Sequence, residues 1–330
     1  ITKKRADVIR MHPTRSAPAA PAHKKWLIPA LAIVLILLVG FMSYKYIFEN
    51  VNFVTPIPGQ NDESTDGSVP PTEGNRWENP LNGAYVSNQD ADKFKDKKPI
   101  TVMVNNYVDA RPSAGLSQAD VIYEAVEEGG ITRLMPVFWS QIPDKVMSVR
   151  SARYYNAELA SAYYPHFVHW GAAHVPACQT AGTCAKDTEP DVDAYAMIVK
   201  LGLPNIDGGN YACQDDAESC VFGRDSARRA QGLAIEHTSY VALPKIYAKA
   251  KEIRAEESWH KNIPPKYKWK FKDDAPMEER GDIGLTTTAP ITYDFWTTMS
   301  GFDVKWEYDK EKNEYVRYQG GVKQTDTNNN

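Results

Sequence analysis

The sequence predicts a mixed α/β domain with flanking helices, preceded by one N-terminal transmembrane helix and followed by a smaller β-rich unit. Three observations carry this: an uncharged apolar run near the start, strands alternating with helical segments through the middle, and short aromatic strands towards the end.

The apolar run is WLIPALAIVLILLVGFMSY, Trp26 to Tyr44, without a charge over 19 residues. At about 1.5 Å per residue it covers roughly the 30 Å hydrocarbon core of a bilayer. Pro29 falls in the first turn, where a missing N–H costs least. Residues 1–25 carry seven basic side chains (Lys3, Lys4, Arg5, Arg10, Arg15, Lys24, Lys25) against Asp7, so the positive-inside rule leaves this end in the cytoplasm. A cleaved signal peptide is the rival reading. The run is longer than a usual signal core, and Lys45-Tyr46 suits an interfacial anchor better than a cleavage site. No cysteine stands directly after the run to carry a lipid in its place.

Seven of the 38 basic and one of the 42 acidic residues lie in that segment, which leaves the remainder at −10. A strongly acidic outer part argues against a general nucleic-acid partner. From Glu49 to Asn79 the chain is rich in Pro, Gly, Asp, Glu and Ser and reads as a tether. About 30 such residues hold a domain on the order of 30 Å from the membrane. The expected organisation is a basic cytoplasmic segment (1–25), a transmembrane helix (26–46), a linker (47–79), an α/β domain (80–258) and a β-rich unit (259–330). Ile1 at one end and Asn328-Asn329-Asn330 after a strand-like run at the other suggest missing ends, so the last unit is expected to be incomplete.

Within the globular part, PITVMVNN (99–106) reads as a buried strand, and ADVIYEAV (119–126) as a second by its alternation. Gly129-Gly130 forms a turn into ITRLMPVFW, a QIPDK turn follows, and KVMSVRS is expected to pair back on it. ARYYNAELASAYY (152–164) has helical composition and HFVHWG (166–171) returns to strand. Residues 172–224 look loop-rich. YVALPKIYAKAKEIRAEE (240–257) is helical from about Pro244. YKWKFK, PITYDF, FDVKWEYD and EYVRYQ read as short strands of the last unit.

Four cysteines lie in one polar stretch, Cys178 and Cys184 with five residues between them, Cys213 and Cys220 with six between them. Outside a membrane disulfides are expected, with the two local pairs preferred among three connectivities. A zinc site is the alternative, but the usual C-x₂₋₄-C spacing is absent. His166, His169 and His174 resemble a ligand run only in spacing, since strand residues three apart face opposite ways.

The informative cluster is arginine set among carboxylates: Arg111, Arg133, Arg150 and Arg153, with Asp120, Glu124, Glu127 and Glu128 nearby in sequence. Pairing of the KVMSVRS strand with the one before it would put Arg133 and Arg150 at one end of a hairpin. Arg153 would open the helix, where free N–H groups favour an anion. Converging guanidinium groups bind phosphate or carboxylate bidentately. The competing reading is that these arginines form internal salt bridges. A glycosidase-like pair of Glu124 and Glu128 is a weaker third, because nothing fixes their separation.

The succession VMVNNYVDARPSAGLSQADVIYEAVEEGGITRLMPVFWSQIPDKVMSVRSARYY resembles the YerB-like lipoprotein family of extracytoplasmic bacterial proteins, whose domain has no established function. FGRDSARRAQGLAIEHTSY, FKDDAPMEERGD and VKWEYDKEKNEYVRYQGG extend the resemblance over roughly residues 97–320. It implies motif positions at Asn106, Arg111, Pro112, Glu124, Glu128, Gly129, Gly130, Thr132, Arg133, Arg150, Ser151 and Arg153, then at Arg224, Asp225 and His237. Three departures stand out. An apolar anchor replaces the lipidated cysteine of many relatives, Glu236-His237-Thr238 stands where Pro-His-Asn is common, and the C-terminal unit is expected to stop before its last strands. The layout is also similar to that of the LytR-CpsA-Psr phosphotransferases, which grip a polyprenyl pyrophosphate with arginines and acids.

The expectation is therefore an envelope protein that binds an anionic cell-wall precursor or polymer. Its site would comprise Arg111, Arg133, Arg150 and Arg153 with Glu124, Glu128, Asn106, Arg224, Asp225 and His237. No cofactor is evident, although Mg²⁺ would suit such a site. The alternative is a non-enzymatic scaffold or regulatory module that docks another envelope protein, and whether the site is catalytic stays open.

Overall fold

Two three-residue strands, β1 (Arg76–Glu78) and β2 (Tyr85–Ser87), pair antiparallel and lead into helix α1 (Asn88–Ala91), capped by the Ser87 side chain. The computed structural model describes residues 74–174, 192–213, 217–253, 269–280 and 289–327, all within one unit, Gly59–Asn330. The basic segment, the apolar run, nearly all of the linker, Cys178 and Cys184 lie outside the described residues, as does the expected boundary at residue 258. Among the described residues no helix is long and apolar enough to cross a membrane.

The PITVMVNN run forms β3 (Ile100–Val102) and β4 (Val104–Asn105), buried throughout. Its continuous apolar character is that of an interior strand. β5 (Val121–Glu128) and β6 (Ile131–Phe138) form the expected hairpin, turning at Gly129 (φ +55°) and Gly130 (φ +86°). Two successive positive φ values suit glycine, which has no Cβ to clash. β6 holds β5 on one edge and β3 and β4 on the other, while β3 runs parallel to β8 (His166–His169) and β8 to β9 (Asn205–Asp207). The result is one mixed sheet, as the sequence predicts.

KVMSVRS departs from expectation. With both edges of β6 taken, its only strand, β7 (Val146–Met147), pairs with β11 (Ser239–Val241), which also pairs β10 (Phe222–Arg224) in a separate three-stranded sheet. Residues 172–224 depart too, contributing α3 (Ala194–Leu201), β9 and α4 (Gly208–Tyr211). Asp193 and Asp207 cap those helices through their side chains.

Alternation along the central strands divides the core. Ile100, Val102, Leu134, Phe138, Val168 and Ile206 pack with Phe222, Val241, Leu243 and Ile246 on one face. Met103, Met135 and Phe167 pack against Ala157, Ala160 and Ile198 on the other. The first face is thus covered by the small sheet and α6 (Ile246–Glu252), the second by α2 (Tyr154–Ser161) and α3. Between β10 and β11 lies α5 (Ser226–Ala230), capped by Asp225.

The last unit is an antiparallel meander of β12 (Ile291–Tyr293), β13 (Val304–Asp309), β14 (Glu314–Gln319) and β15 (Val322–Lys323). The described part of YKWKFK, Trp269–Lys272, carries no strand. The Asp326 carboxylate accepts from the backbone N–H groups of Gly115 (2.9 Å) and Ser117 (2.8 Å), pinning the meander to the α/β domain.

Cys213 and Cys220 form one of the expected disulfides, with Cα atoms 5.8 Å apart.

Candidate functional site

Although β7 leaves for the second sheet, the residues after it return along β4. Asn105 N–H donates to Ser148 O (2.7 Å) and Arg150 N–H to Met103 O (2.8 Å), while Trp170 N–H donates to Arg150 O (2.9 Å). Arg150 is thereby wedged between the ends of β4 and β8, where the parallel strands of an α/β sheet present their carboxyl ends and ligands commonly bind. Arg133, opposite Asn105 on β6, completes that end.

Glu127 and Glu128 face the same arginines. In a regular strand neighbouring side chains point to opposite faces, but the register slips between Val126 and Glu128, and the bulge turns both carboxylates to one side. Glu127 lies 3.3 Å from Arg133 and 3.5 Å from Arg153, and Glu128 contacts both as well. These four groups close a ring of alternating charge. Arg133 Nη1 also donates to Ser151 O. Burial pushes the Glu127 carboxyl above its usual range despite both arginines, and it pushes Arg133 below the usual guanidinium range against the pull of Glu127.

The fourth wall comes from the segment before β11. His237 is buried, its ring stacked on Tyr107 with centroids 5.5 Å apart, and its Nδ1 lies 2.8 Å from Asn105 Nδ2. Asn105 Oδ1 is occupied by Tyr107 N–H (2.9 Å), which orients the amide so that it donates to the imidazole. Burial lowers the His237 pKa, Arg150 and Arg228 push the same way, and Glu236 and Asp109 oppose them.

A cavity of about 300 Å³ remains between these walls, lined by Asn105, Tyr107, Glu127, Glu128, Ile131, Arg133, Arg150, Glu236 and His237. Within it Arg150 has no side-chain hydrogen bond or ion pair among the described residues, and its Nε is buried without a partner. Burial, then Arg133, lowers its pKa, and only Glu236 acts in the other direction. Arg224 approaches from the side. Its guanidinium lies 4.1 Å over the Trp170 ring and donates to Ile235 O (2.7 Å), and burial followed by Arg150 lowers its pKa.

The cavity therefore gathers Arg133, Arg150, Glu128 and His237 of the expected residues, with Arg153 and Arg224 beside it. The other four are placed elsewhere. Arg111 donates to Asn106 O (2.8 Å) and Gly301 O (2.8 Å), and burial lowers its pKa to about 10. Glu124 accepts from Thr132 (2.7 Å), Gln319 (2.8 Å) and Asn106 (3.0 Å) and pairs with Arg317, so Asn106 and Glu124 join the meander to the hairpin. Asp225 accepts from Arg228 N–H (2.9 Å) and pairs with Lys145 (3.1 Å). Sequence reasoning passed over Asn105, Tyr107 and Glu236 and took Glu127 only as a counter-ion. The one available signal for Glu127 was an acidic pair directly before Gly-Gly, where hairpin bulges occur.

The histidine run does not converge. His166 packs edge-on against Tyr247, His169 bonds Gly171 O and Asn205, and His174 pairs with Asp193 at 2.9 Å. Among the described residues no group of three or more His, Cys, Asp or Glu side chains is placed to hold a metal ion.

Comparison with known proteins accords with this architecture. The "Putative lipoprotein YerB" of Bacillus subtilis (strain 168) is 47% identical over 79 residues, a match covering 24% of this chain and 24% of that protein. The chain thus aligns with about a quarter of the length of this curated relative. The crystal structure of YerB from Bacillus subtilis superposes with a TM-score of 0.53 at 25% identity, covering 76% of this chain and 70% of that one. The resemblance read from the motifs holds: residues 86–256, just over half of its length, match the N-terminal domain of a protein of unknown function, and the chain belongs to the DUF3048 family.

Proposed function

We propose that this is a membrane-anchored envelope protein whose cavity binds the anionic group of a cell-wall precursor or polymer. The observation that carries the reading is Arg150, a half-buried side chain at the cavity wall whose Nε is buried and has no partner among the described residues. An unpaired buried donor costs free energy that a bound oxyanion would return. Arg224 stands beside the cavity, and its pKa is lowered by burial and then by Arg150. The Trp26–Tyr44 run and the lipoprotein name of the YerB relative support a place at the membrane.

The test is a thermal-shift series with pyrophosphate, undecaprenyl pyrophosphate analogues and peptidoglycan fragments, with and without Mg²⁺, on wild type and Arg150→Ala. A ligand that binds the native state raises the melting temperature. A rise in wild type that disappears in a folded variant supports the reading, and no rise with any of them rejects it.

One observation favours the alternative, a scaffold that docks another envelope protein. β15 pairs only with β14 among the described residues, and Val322 on it is 70% exposed. An open edge of this kind accepts an added strand. Binding of a protein partner that persists in Arg150→Ala and is lost in Val322→Asp would favour it.

A further inference from the structure

The geometry points to a site limited to a singly charged anion, a phosphodiester or a carboxylate, with Glu236 as the residue that excludes a second negative charge. The inference rests on the reading of the cavity as an anion site.

The ring of Arg133, Arg153, Glu127 and Glu128 is closed on itself and contributes no net charge. His237 contributes none either. Asn105 Oδ1 is committed to Tyr107 N–H, so its Nδ2 donates to His237 Nδ1, and that nitrogen must offer a lone pair. A proton on Nδ1 would set two donors against each other at 2.8 Å. The proton of the neutral ring then sits on Nε2, a hydrogen-bond donor without a charge.

Arg150 and Arg224 remain, and Glu236, on the wall of the same cavity as Arg150 and His237, acts on all three. Two cations and one carboxylate leave one positive charge. The outer groups do not change this balance: exposed Asp109 acts on His237 and exposed Arg229 on Arg224 with opposite signs. Arg228, behind His237, is spent on Ala110 O, Pro112 O and the charge of Asp225. A monoanion matches the unpartnered edge of Arg150. A dianion would bring its second charge against Glu236, which is exposed but lines the same cavity as Arg150.

The experiment is calorimetric titration of the full chain, solubilised in detergent, with dimethyl phosphate, acetate, methyl phosphate and pyrophosphate at pH 5.5 and pH 8. Methyl phosphate gains its second charge between these values, at a pKa of about 6, whereas dimethyl phosphate keeps one charge and serves as the control for changes in the protein. Methyl phosphate is expected to weaken about fivefold or more from pH 5.5 to 8 relative to dimethyl phosphate. Pyrophosphate should bind no tighter than dimethyl phosphate. Glu236→Gln should strengthen binding of both anions and should strengthen methyl phosphate at pH 8 clearly more than dimethyl phosphate, which removes the pH-dependent weakening. Tighter binding of methyl phosphate at pH 8, or of pyrophosphate by tenfold, with both abolished by Arg150→Ala, would overturn the charge limit and leave the anion site standing. No binding by any probe would reject the anion site itself, and the charge limit with it.

Discussion

Asn105 and His237, 132 positions apart in sequence, meet at 2.8 Å on the cavity wall, and the amide donates to the imidazole. That contact sets the state of the ring. Asn105→Asp replaces the donor by a carboxylate, which stabilises a proton on Nδ1. The His237 pKa should rise by one unit or more, readable as a displaced titration of its imidazole resonances in NMR. An unchanged titration would mean that the amide does not set the tautomer.

Glu124 and Arg317 form an ion pair, both nearly buried, that joins the hairpin to the meander. Removing one partner of such a pair leaves a charge uncompensated. Arg317→Met should destabilise the protein by about 3 kcal/mol in urea denaturation. Glu124→Gln/Arg317→Met together should cost clearly less than the sum of the two, because the double change removes the orphaned charge.

His166 is buried, and burial, then Lys98, lowers its pKa to about 4. Below an ordinary histidine pKa of about 6.5 the unfolded chain takes up a proton that the folded ring refuses. Stability from this group is therefore complete above pH 6.5 and is lost as pH falls towards 4, by on the order of 3 kcal/mol. Chemical denaturation at pH 7 and pH 4.5 should show this decline in wild type and a shallower one in His166→Leu.

The Cys213–Cys220 bridge closes a loop spanning a sequence separation of 7. On a chain-entropy estimate a loop that short is worth about 2 kcal/mol. Cys213→Ser/Cys220→Ser should lower the melting temperature by several degrees while leaving anion binding intact, since neither residue lines the cavity.

What the sequence determined was local. β-branched runs gave β3 and β6, Gly129-Gly130 gave the hairpin, and the ALPK segment gave the start of the helix after β11, because each depends on periodicity or on a dihedral that a few neighbouring residues dictate. The motifs also carried the family. Pairing was not local: β7 joined β11 because β6 had no free edge, and nothing in KVMSVRS records which edges are taken. The site shows the same division. Its arginines were legible, but their partners depended on a bulge that turned Glu127 inward and on a loop that brought Glu236 and His237 across the sheet end. Charge type is written in the residue. Which charges are cancelled, and that the Arg150 Nε is left without a partner among the described residues, is decided by distances and burial that arise only when segments far apart in sequence pack together.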